Sequence, residues 1–326
     1  MEEKVTILMA VYNGEKYLRE QLDSILSQTH ENWQLVIRDD RSTDKSLAIL
    51  TEYLQRDPRI MLLSHGSDHG SACINFSQLA AWAASTDAAY VMFADQDDRW
   101  KPEKVSVSLA AIFKMEQELG TDHPCMCYST FQLMDEKGED LPQRMPLPNH
   151  LPLMLMLSEN YAWGCTMIIN SAALKKITPI PYQAANHDYW IALVISALGN
   201  NQLIDRDLLF YRQHTQNVSG NVDKMSFTQR FKRYVVNIHS MLKPLTENLI
   251  TVQLFFNRYQ QELKKEDSRQ VAAFIGAYQQ GVLPLLTTLM KYRIFKLGLG
   301  KNVVYFYSLI RLRKQVIAQT KIQKKI

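Results

Sequence analysis

Three acidic side chains crowd four consecutive positions, Asp95-Gln96-Asp97-Asp98, directly after the apolar run Tyr90–Ala94 and before Arg99-Trp100. Carboxylates this close repel one another unless a cation neutralises them, and on a turn residues i and i+2 can point at one ion. Hard oxygen ligands suit Mg²⁺ or Mn²⁺, which also grip a diphosphate. A solvated acidic turn capping the next helix has the same composition; the place at a strand end, between Phe93 and Trp100, favours the metal. A second cluster, Arg38-Asp39-Asp40-Arg41-Ser42-Thr43-Asp44, offers paired acids that can accept hydrogen bonds from a nucleobase imide N–H and a ribose hydroxyl. Ser42, Thr43 and Asp44 also suit a helix start, but Asp39 and Asp40 lie upstream of that cap. In His187-Asp188-Tyr189-Trp190 the acid is either a helix cap or a general base toward an acceptor hydroxyl. Trp190 and Tyr189 there are either stacking faces for a sugar or core. Finally, Arg212 and His214, in the segment 211–220 that ends in Gly220, can close over a diphosphate or complete a metal shell, or be incidental charges on a surface loop.

These clusters fall just after strands. Val5–Val11 is a β-branched apolar run broken by Tyr12-Asn13-Gly14, and 15–28 is amphipathic, with Tyr17, Leu18, Leu22, Ile25 and Leu26 on one face. The pattern continues as strand 33–37, helix 44–55 capped by Ser42 or Thr43, strand 60–63, helix 73–85, strand 90–94 and helix 102–119. Beyond it the spacing predicts strands at 126–134 and 165–169, a helix at 187–198, and short strands at 203–204 and 208–211. Alternating strands and helices imply a mostly parallel sheet covered on both faces, with ligands at the carboxyl ends of the strands.

The composition fits a folded, reduced protein. Of 326 residues, 46% are hydrophobic and 21% charged, enough for a real core. Cys73, Cys125, Cys127 and Cys165 form neither a disulfide framework nor a zinc set. The first residues lack the pattern of a signal peptide, and no apolar run reaches the ~18 residues of a spanning helix; the expected location is cytoplasmic. The net charge of +4 hides an asymmetry. After Asp267 there are eleven Lys and Arg and no acid, leaving 26 basic against 33 acidic residues upstream, a net of −7. A basic tail on an acidic body suits an anionic partner.

The motifs in this order resemble glycosyltransferase family 2, inverting enzymes of GT-A fold: Val5–Val11 with Tyr12-Asn13-Gly14, then Ser24-Ile25-Leu26-Ser27-Gln28-Thr29, then Asp39-Asp40 with Ser42 and Asp44, then Asp95-Gln96-Asp97-Asp98. The match covers residues 4–220. His187-Asp188-Tyr189-Trp190 and Tyr211-Arg212-Gln213-His214 with Asn217 and Gly220 are similar to the bacterial rhamnosyltransferase branch, which uses dTDP-L-rhamnose for cell-wall and capsular polysaccharides. The resemblance implies a base pocket of Ala10, Tyr12 and Asp40, with Asp40 facing the pyrimidine N3–H and Asp39 close by. It implies that Asp95 approaches the ribose or, through water, the metal, that Asp97 ligates Mg²⁺ or Mn²⁺, and that Asp188 is the general base. Trp163 and Gly164 match the acceptor-side segment. Ser64-His65-Gly66-Ser67-Asp68-His69-Gly70 departs from the family's Asn- or Arg-containing donor loop and leaves His65 and His69 unassigned.

The expected organisation is thus an α/β GT-A catalytic domain at 1–222 and a basic helical region at 223–326. In that region Phe227, Phe231, Tyr234, Ile238, Met241 and Leu242 recur at helical spacing, as do Leu254, Phe255 and Tyr259. Later, Met290, Ile294, Leu297, Tyr305, Leu309 and Leu312 alternate with Lys and Arg. Such helices either lie on an anionic membrane, where a lipid-linked saccharide acceptor would share the enzyme's plane, or pack on the catalytic domain or in a homo-oligomer. No nucleic-acid-binding module is present. A nucleotidyltransferase would want a Gly-rich basic phosphate loop after the first strand, which Tyr12-Asn13-Gly14-Glu15 does not supply. A non-catalytic sugar-nucleotide-binding protein would lack the base. Another nucleotide sugar, such as a UDP-hexose, would serve the same fold.

Overall fold

The computed structural model describes residues 3–64, 70–142, 147–214 and 237–323. Its centre is β1 (Val5–Val11), whose seven residues are buried but for half-buried Ala10. It pairs in parallel with β2 (Trp33–Asp39) on one side and β4 (Tyr90–Ala94) on the other, and β2 pairs with β3 (Ile60–Leu62). These strands alternate between two cores with the period of a pleated sheet. Ile7, Met9, Ile37 and Met92 point into one, and Leu8, Val36, Val91 and Phe93 into the other. Each such side chain contributes about 1.5–3 kcal/mol by burial, so a register slip of one residue would exchange the two sets and is strongly disfavoured.

The first core is closed by α1 (Leu18–Leu26), α2 (Ser46–Arg56) and, after the two-residue β5 (Arg99–Trp100), α4 (Lys104–Leu119). The second is closed by α3 (Ala72–Ala84), α6 (Ser171–Ile177) and α7 (His187–Leu198). Beyond β4 the sheet turns mixed: β8 (Met167–Asn170) runs antiparallel to β4 and to β6 (Cys125–Met134), and β9 (Asn200–Arg212) runs parallel to β6. The nine strands run β3-β2-β1-β4-β8-β6-β9-β5, with β7 (Asp140–Leu141) paired to β6. The two short strands expected at 203–211 are one strand of 13 residues, because irregularities opposite Ser129–Gln132 re-aim its outer half without ending it. Residues 165–169 are not a uniform strand: a 3₁₀ turn at Gly164–Thr166 precedes β8. Strand β5, α6 and the four-residue α5 (Leu153–Met156) were not anticipated.

The tail forms α8 (Leu242–Tyr259), α9 (Lys265–Gln280), α10 (Val282–Tyr292) and α11 (Leu299–Gln323). Leu249, Val252 and Phe255 of α8, and Tyr305, Leu309, Leu312 and Val316 of α11, join the same core as Trp190 and Phe76. The expectation that Ile294, Tyr305, Leu309 and Leu312 face a membrane is therefore corrected: each is at most 1% exposed, because α11 lies on α8. The boundary near residue 222 and the side chains Phe227, Phe231 and Tyr234 lie outside the described residues, as do His65 and His69. All four cysteines are buried and unpaired.

Candidate active site

The carboxyl ends of β2, β1 and β4 lie side by side, and each supplies one cluster. Their loops are stitched to one another by side chains. The backbone N–H of Asn13 donates to Ser42 Oγ at 2.9 Å, Thr43 N–H donates to Asn13 Oδ1 at 2.8 Å, and Gly14 N–H donates to Ser46 Oγ at 2.8 Å. Ser42 and Thr43 thus tie loop to loop and do not cap α2, a correction to their expected role. The capping task falls to Asp44, whose Oδ1 accepts from Ser46 N–H at 2.9 Å. Gln96 works likewise: its Oε1 accepts from Tyr12 N–H at 2.7 Å and its Nε2 donates to Tyr12 O at 2.9 Å. The amide in the middle of the acidic motif thereby fixes the loop after β1.

Asp39 and Asp40 part company. Asp39 is 1% exposed, and its carboxylate accepts from both the N–H and the hydroxyl of Ser42. It is turned into the loop it shapes, not toward a ligand, which corrects its expected donor contact. Asp40 Oδ2 accepts from Gly70 N–H at 3.0 Å, while buried Oδ1 has no hydrogen-bond partner among the described residues and sits 3.7 Å from Arg38 Nη1. Tyr12 projects beside it, 57% exposed, and Ala10 is half-buried.

The acidic turn divides the same way. Asp98 is 1% exposed and points inward, where its Oδ1 accepts from Arg212 N–H at 3.2 Å. Burial, then the charges of Asp97 and Asp95, push its carboxyl well above the usual range. Fully buried Lys104 helps balance it; burial brings this amine down to about 8, with its ammonium 4.7 Å from the Trp100 ring. Asp97 points outward, 20% exposed, with Oδ2 2.7 Å from His214 Nε2. Asp95 lies between. Burial and then the charges of Asp97 and Asp188 raise it to about 7, which places Asp188, distant in the chain, in one electrostatic neighbourhood with the acidic turn. The atoms of Asp95, Asp98 and Cys165 that could bind a metal lie within 4.8 Å of one another. A cleft of about 150 Å³ opens over the motif, lined by Asn13, Gly14, Lys16, Tyr17, Gln96, Asp97, Glu136 and His214. A larger groove of about 660 Å³ over α1 and β5 contains none of Asp40, Asp95, Asp97 and Asp188.

Arg212 does not face that cleft. Only 2% exposed, it ion-pairs with Glu20, donates from Nε to Asp97 O at 2.8 Å and stacks on the Tyr17 ring with its Cζ 4.5 Å from the centroid. The expectation of a direct diphosphate contact is corrected: its guanidinium pins the backbone of the acidic turn. His214 remains at the cleft, its ring 5.2 Å from that of Tyr17. Residues 215–220, including Asn217 and Gly220, lie outside the described residues.

Asp188 sits in the first turn of α7, behind Asn186 at the cap position. It is 8% exposed; its Oδ1 accepts from Tyr189 N–H at 2.6 Å and its Oδ2 from Gly164 N–H at 3.3 Å. Burial outweighs these bonds and that from the Asn160 side chain, raising its carboxyl to about 6. Gly164 is fixed by space: a Cβ there would lie 2.4 Å from His187 Nε2. His187 stacks on Phe76 at 3.8 Å between centroids and burial lowers it to about 3, so it stays neutral. Trp163 is half-buried with its ring 5.1 Å from Phe131. Trp190 is fully buried and its Nε1 donates to Ile177 O at 2.9 Å; the expectation of a sugar-stacking face is corrected, since the ring belongs to the core. Sequence reasoning missed Gln96, Glu20, Lys104 and Asn160. Only Gln96 carried a signal, its place inside the acidic motif.

The mixed sheet thus gathers at one edge an acid with an unpartnered oxygen, an outward acidic turn and a separate buried acid, and its order of strands and helices is that of a GT-A fold. Comparison agrees. Residues 6–140 match the model of glycosyl transferase family 2. The chain is 26% identical over 222 residues to the putative teichuronic acid biosynthesis glycosyltransferase TuaG of Bacillus subtilis, covering 67% of this chain and 82% of that one. It is 27% identical over 234 residues to the dTDP-rhamnosyl transferase RfbG of Shigella flexneri, covering 69% and 77%. In fold it is similar to residues 1–349 of S. aureus TarS, solved with UDP-GlcNAc, with a TM-score of 0.58 at 16% identity, covering 98% and 88%. Its N-terminal part, residues 6–140, matches family 2, and the chain is a glycosyltransferase.

Proposed function

We propose that the enzyme transfers L-rhamnose from dTDP-L-rhamnose, with inversion, onto a lipid-linked saccharide in the synthesis of a cell-surface polysaccharide, in the cytoplasm at the inner face of the plasma membrane. The observation that carries the reaction type is the closeness of Asp188, in the first turn of α7, to the acidic turn after β4 through Asp95. The motif resemblance and the identity to RfbG support the sugar, and the names of RfbG and TuaG support a surface polysaccharide.

Asp40 Oδ1, buried and without a partner among the described residues, is the acceptor for the imide N–H of the thymine. Tyr12 offers its exposed ring as a face for the base, with Ala10 beneath. Asp97 and His214, paired at the cleft, with Asp95 behind them, would hold a divalent ion, Mg²⁺ or Mn²⁺, since they supply hard oxygens and an imidazole. The inward pair Asp98 and Cys165 fits one less well. Burial, then the charges of Asp98 and Asp95, hold the Cys165 thiol well above its ordinary range, and a protonated thiol is a poor ligand. When bound, the ion neutralises charge on the departing diphosphate. Asp188 takes the proton from the acceptor hydroxyl as that oxygen attacks the anomeric carbon from the face opposite the nucleotide. A carboxyl raised to about 6 is ionised at neutral pH yet more basic than a solvated acid, which suits the task. Gly164 N–H and the Asn160 side chain hold it, and Trp163 stands at the acceptor side.

The test is a panel of dTDP-L-rhamnose, UDP-glucose and UDP-GlcNAc, followed as Mn²⁺-dependent sugar release to water, with wild type and Asp188→Asn. We expect turnover of dTDP-L-rhamnose by wild type, and a loss of about 10²–10⁴-fold in the variant with nucleotide binding retained. Preference for a UDP-sugar would replace the donor; undiminished turnover by Asp188→Asn would remove its role as base.

A further inference from the structure

Helix α11 has two apolar faces. Tyr305, Leu309, Leu312 and Val316 are packed in the core. At about 100° per residue, Leu299, Val303 and Ile310 fall within about 40° of one another, roughly a third of a turn from the packed face, with Phe306 and Ile317 beside them partly buried against the core. This second stripe is largely open: Leu299 is 89% exposed, Val303 50% and Ile310 45%. Leu297, just before the helix, is 38% exposed. A buried helix needs one apolar stripe; the second asks for a partner.

Charge selects the partner. The stripe is bordered by exposed Lys314, with exposed Arg311 further round the helix and Lys321 at its C-terminal end, and no acid follows Asp267. A second copy of the chain meeting it about a two-fold axis would set these cations against themselves. An anionic bilayer satisfies both the apolar stripe and its basic rim. The helix also starts beside the acceptor-side segment. Lys296 and Lys301 grip Glu159 at 3.1 and 3.0 Å, and Leu297 N–H donates to the Tyr161 hydroxyl at 2.8 Å. Two residues on stands Trp163.

We propose that the outward stripe of α11 lies in the headgroup region of an anionic membrane, with Leu299 and Val303 inserted beside the acceptor-side loop. This deepens the membrane part of the proposed function and is independent of the donor's identity. The test is cosedimentation of the full chain with vesicles of phosphatidylglycerol and phosphatidylcholine, and of phosphatidylcholine alone. Wild type should sediment with the former at low salt and be released at high salt. Val303→Glu/Ile310→Glu and Arg311→Glu/Lys314→Glu should each bind about tenfold more weakly or worse. Both variants change exposed positions and should keep dTDP binding, which reports an intact fold. Three results would overturn the proposal: wild type staying in the supernatant, equal binding to neutral vesicles, or undiminished binding by both variants. So would sedimentation equilibrium showing a wild-type dimer that Val303→Glu/Ile310→Glu dissociates. Loss of dTDP binding by wild type with vesicle binding intact would count against the donor reading alone.

Discussion

Among the acids that strand ends present to the cleft or its floor, the decisive difference is what each one's oxygens already bind. Asp39 is engaged by the backbone and side chain of Ser42 and builds its loop; Asp98 points inward with one oxygen held by Arg212 N–H, while Asp40 and Asp97 keep an oxygen on the ligand side. Sequence alone marks the acid-rich strand ends but not this division, because neighbouring residues on a turn point to opposite sides and spacing does not say which. Asp188 carries a prediction of its own. Burial raises it to about 6, and only its ionised form accepts a proton, so turnover should fall as pH drops through about 6. A pH profile of sugar release measures this; an acid limb near 4, where an unperturbed carboxyl titrates, would contradict it.

The elements from β1 to α4, the two-residue β5 apart, were legible because their signals are local: continuous apolar strands, amphipathic helices and punctuation by Asn13-Gly14 and Pro58. Mixed strands beyond β4 were legible in part, since their irregularities depend on partners distant in sequence. The anchoring of the acceptor-side loop by the tail was not legible at all, for Glu159 and Lys296 are 137 residues apart. Although burial pushes Glu159 up, the charges of Lys296 and Lys301 prevail and bring it down to about 2 from an ordinary 4.5. A lowered acid stabilises the fold above its unfolded value and loses that contribution as pH falls through its folded one. Glu159→Gln, which also leaves two lysines without their partner, should therefore cost about 2 kcal/mol at pH 7. The cost should shrink between pH 4.5 and 2, as read by urea unfolding; a pH-independent difference would show that the pair contributes nothing electrostatic.

At the scale of the molecule, catalytic sheet and helical tail share a core, so the tail is part of the machine that holds Asp188. Asn248 of α8 donates to the Tyr189 hydroxyl at 2.6 Å, and that hydroxyl donates to Met156 O at 2.8 Å. Among the described residues no helix is long and apolar enough to cross a membrane. The claim on which the whole reading turns is that the acidic turn after β4 serves one ion and the diphosphate it carries. Calorimetry of dTDP binding with and without Mn²⁺ tests it directly. Wild type should bind at least about tenfold more tightly with the ion, and Asp97→Ala should bind equally weakly in both conditions. Affinity for dTDP that ignores Mn²⁺ in wild type, or that keeps its Mn²⁺ dependence in Asp97→Ala, would contradict the account.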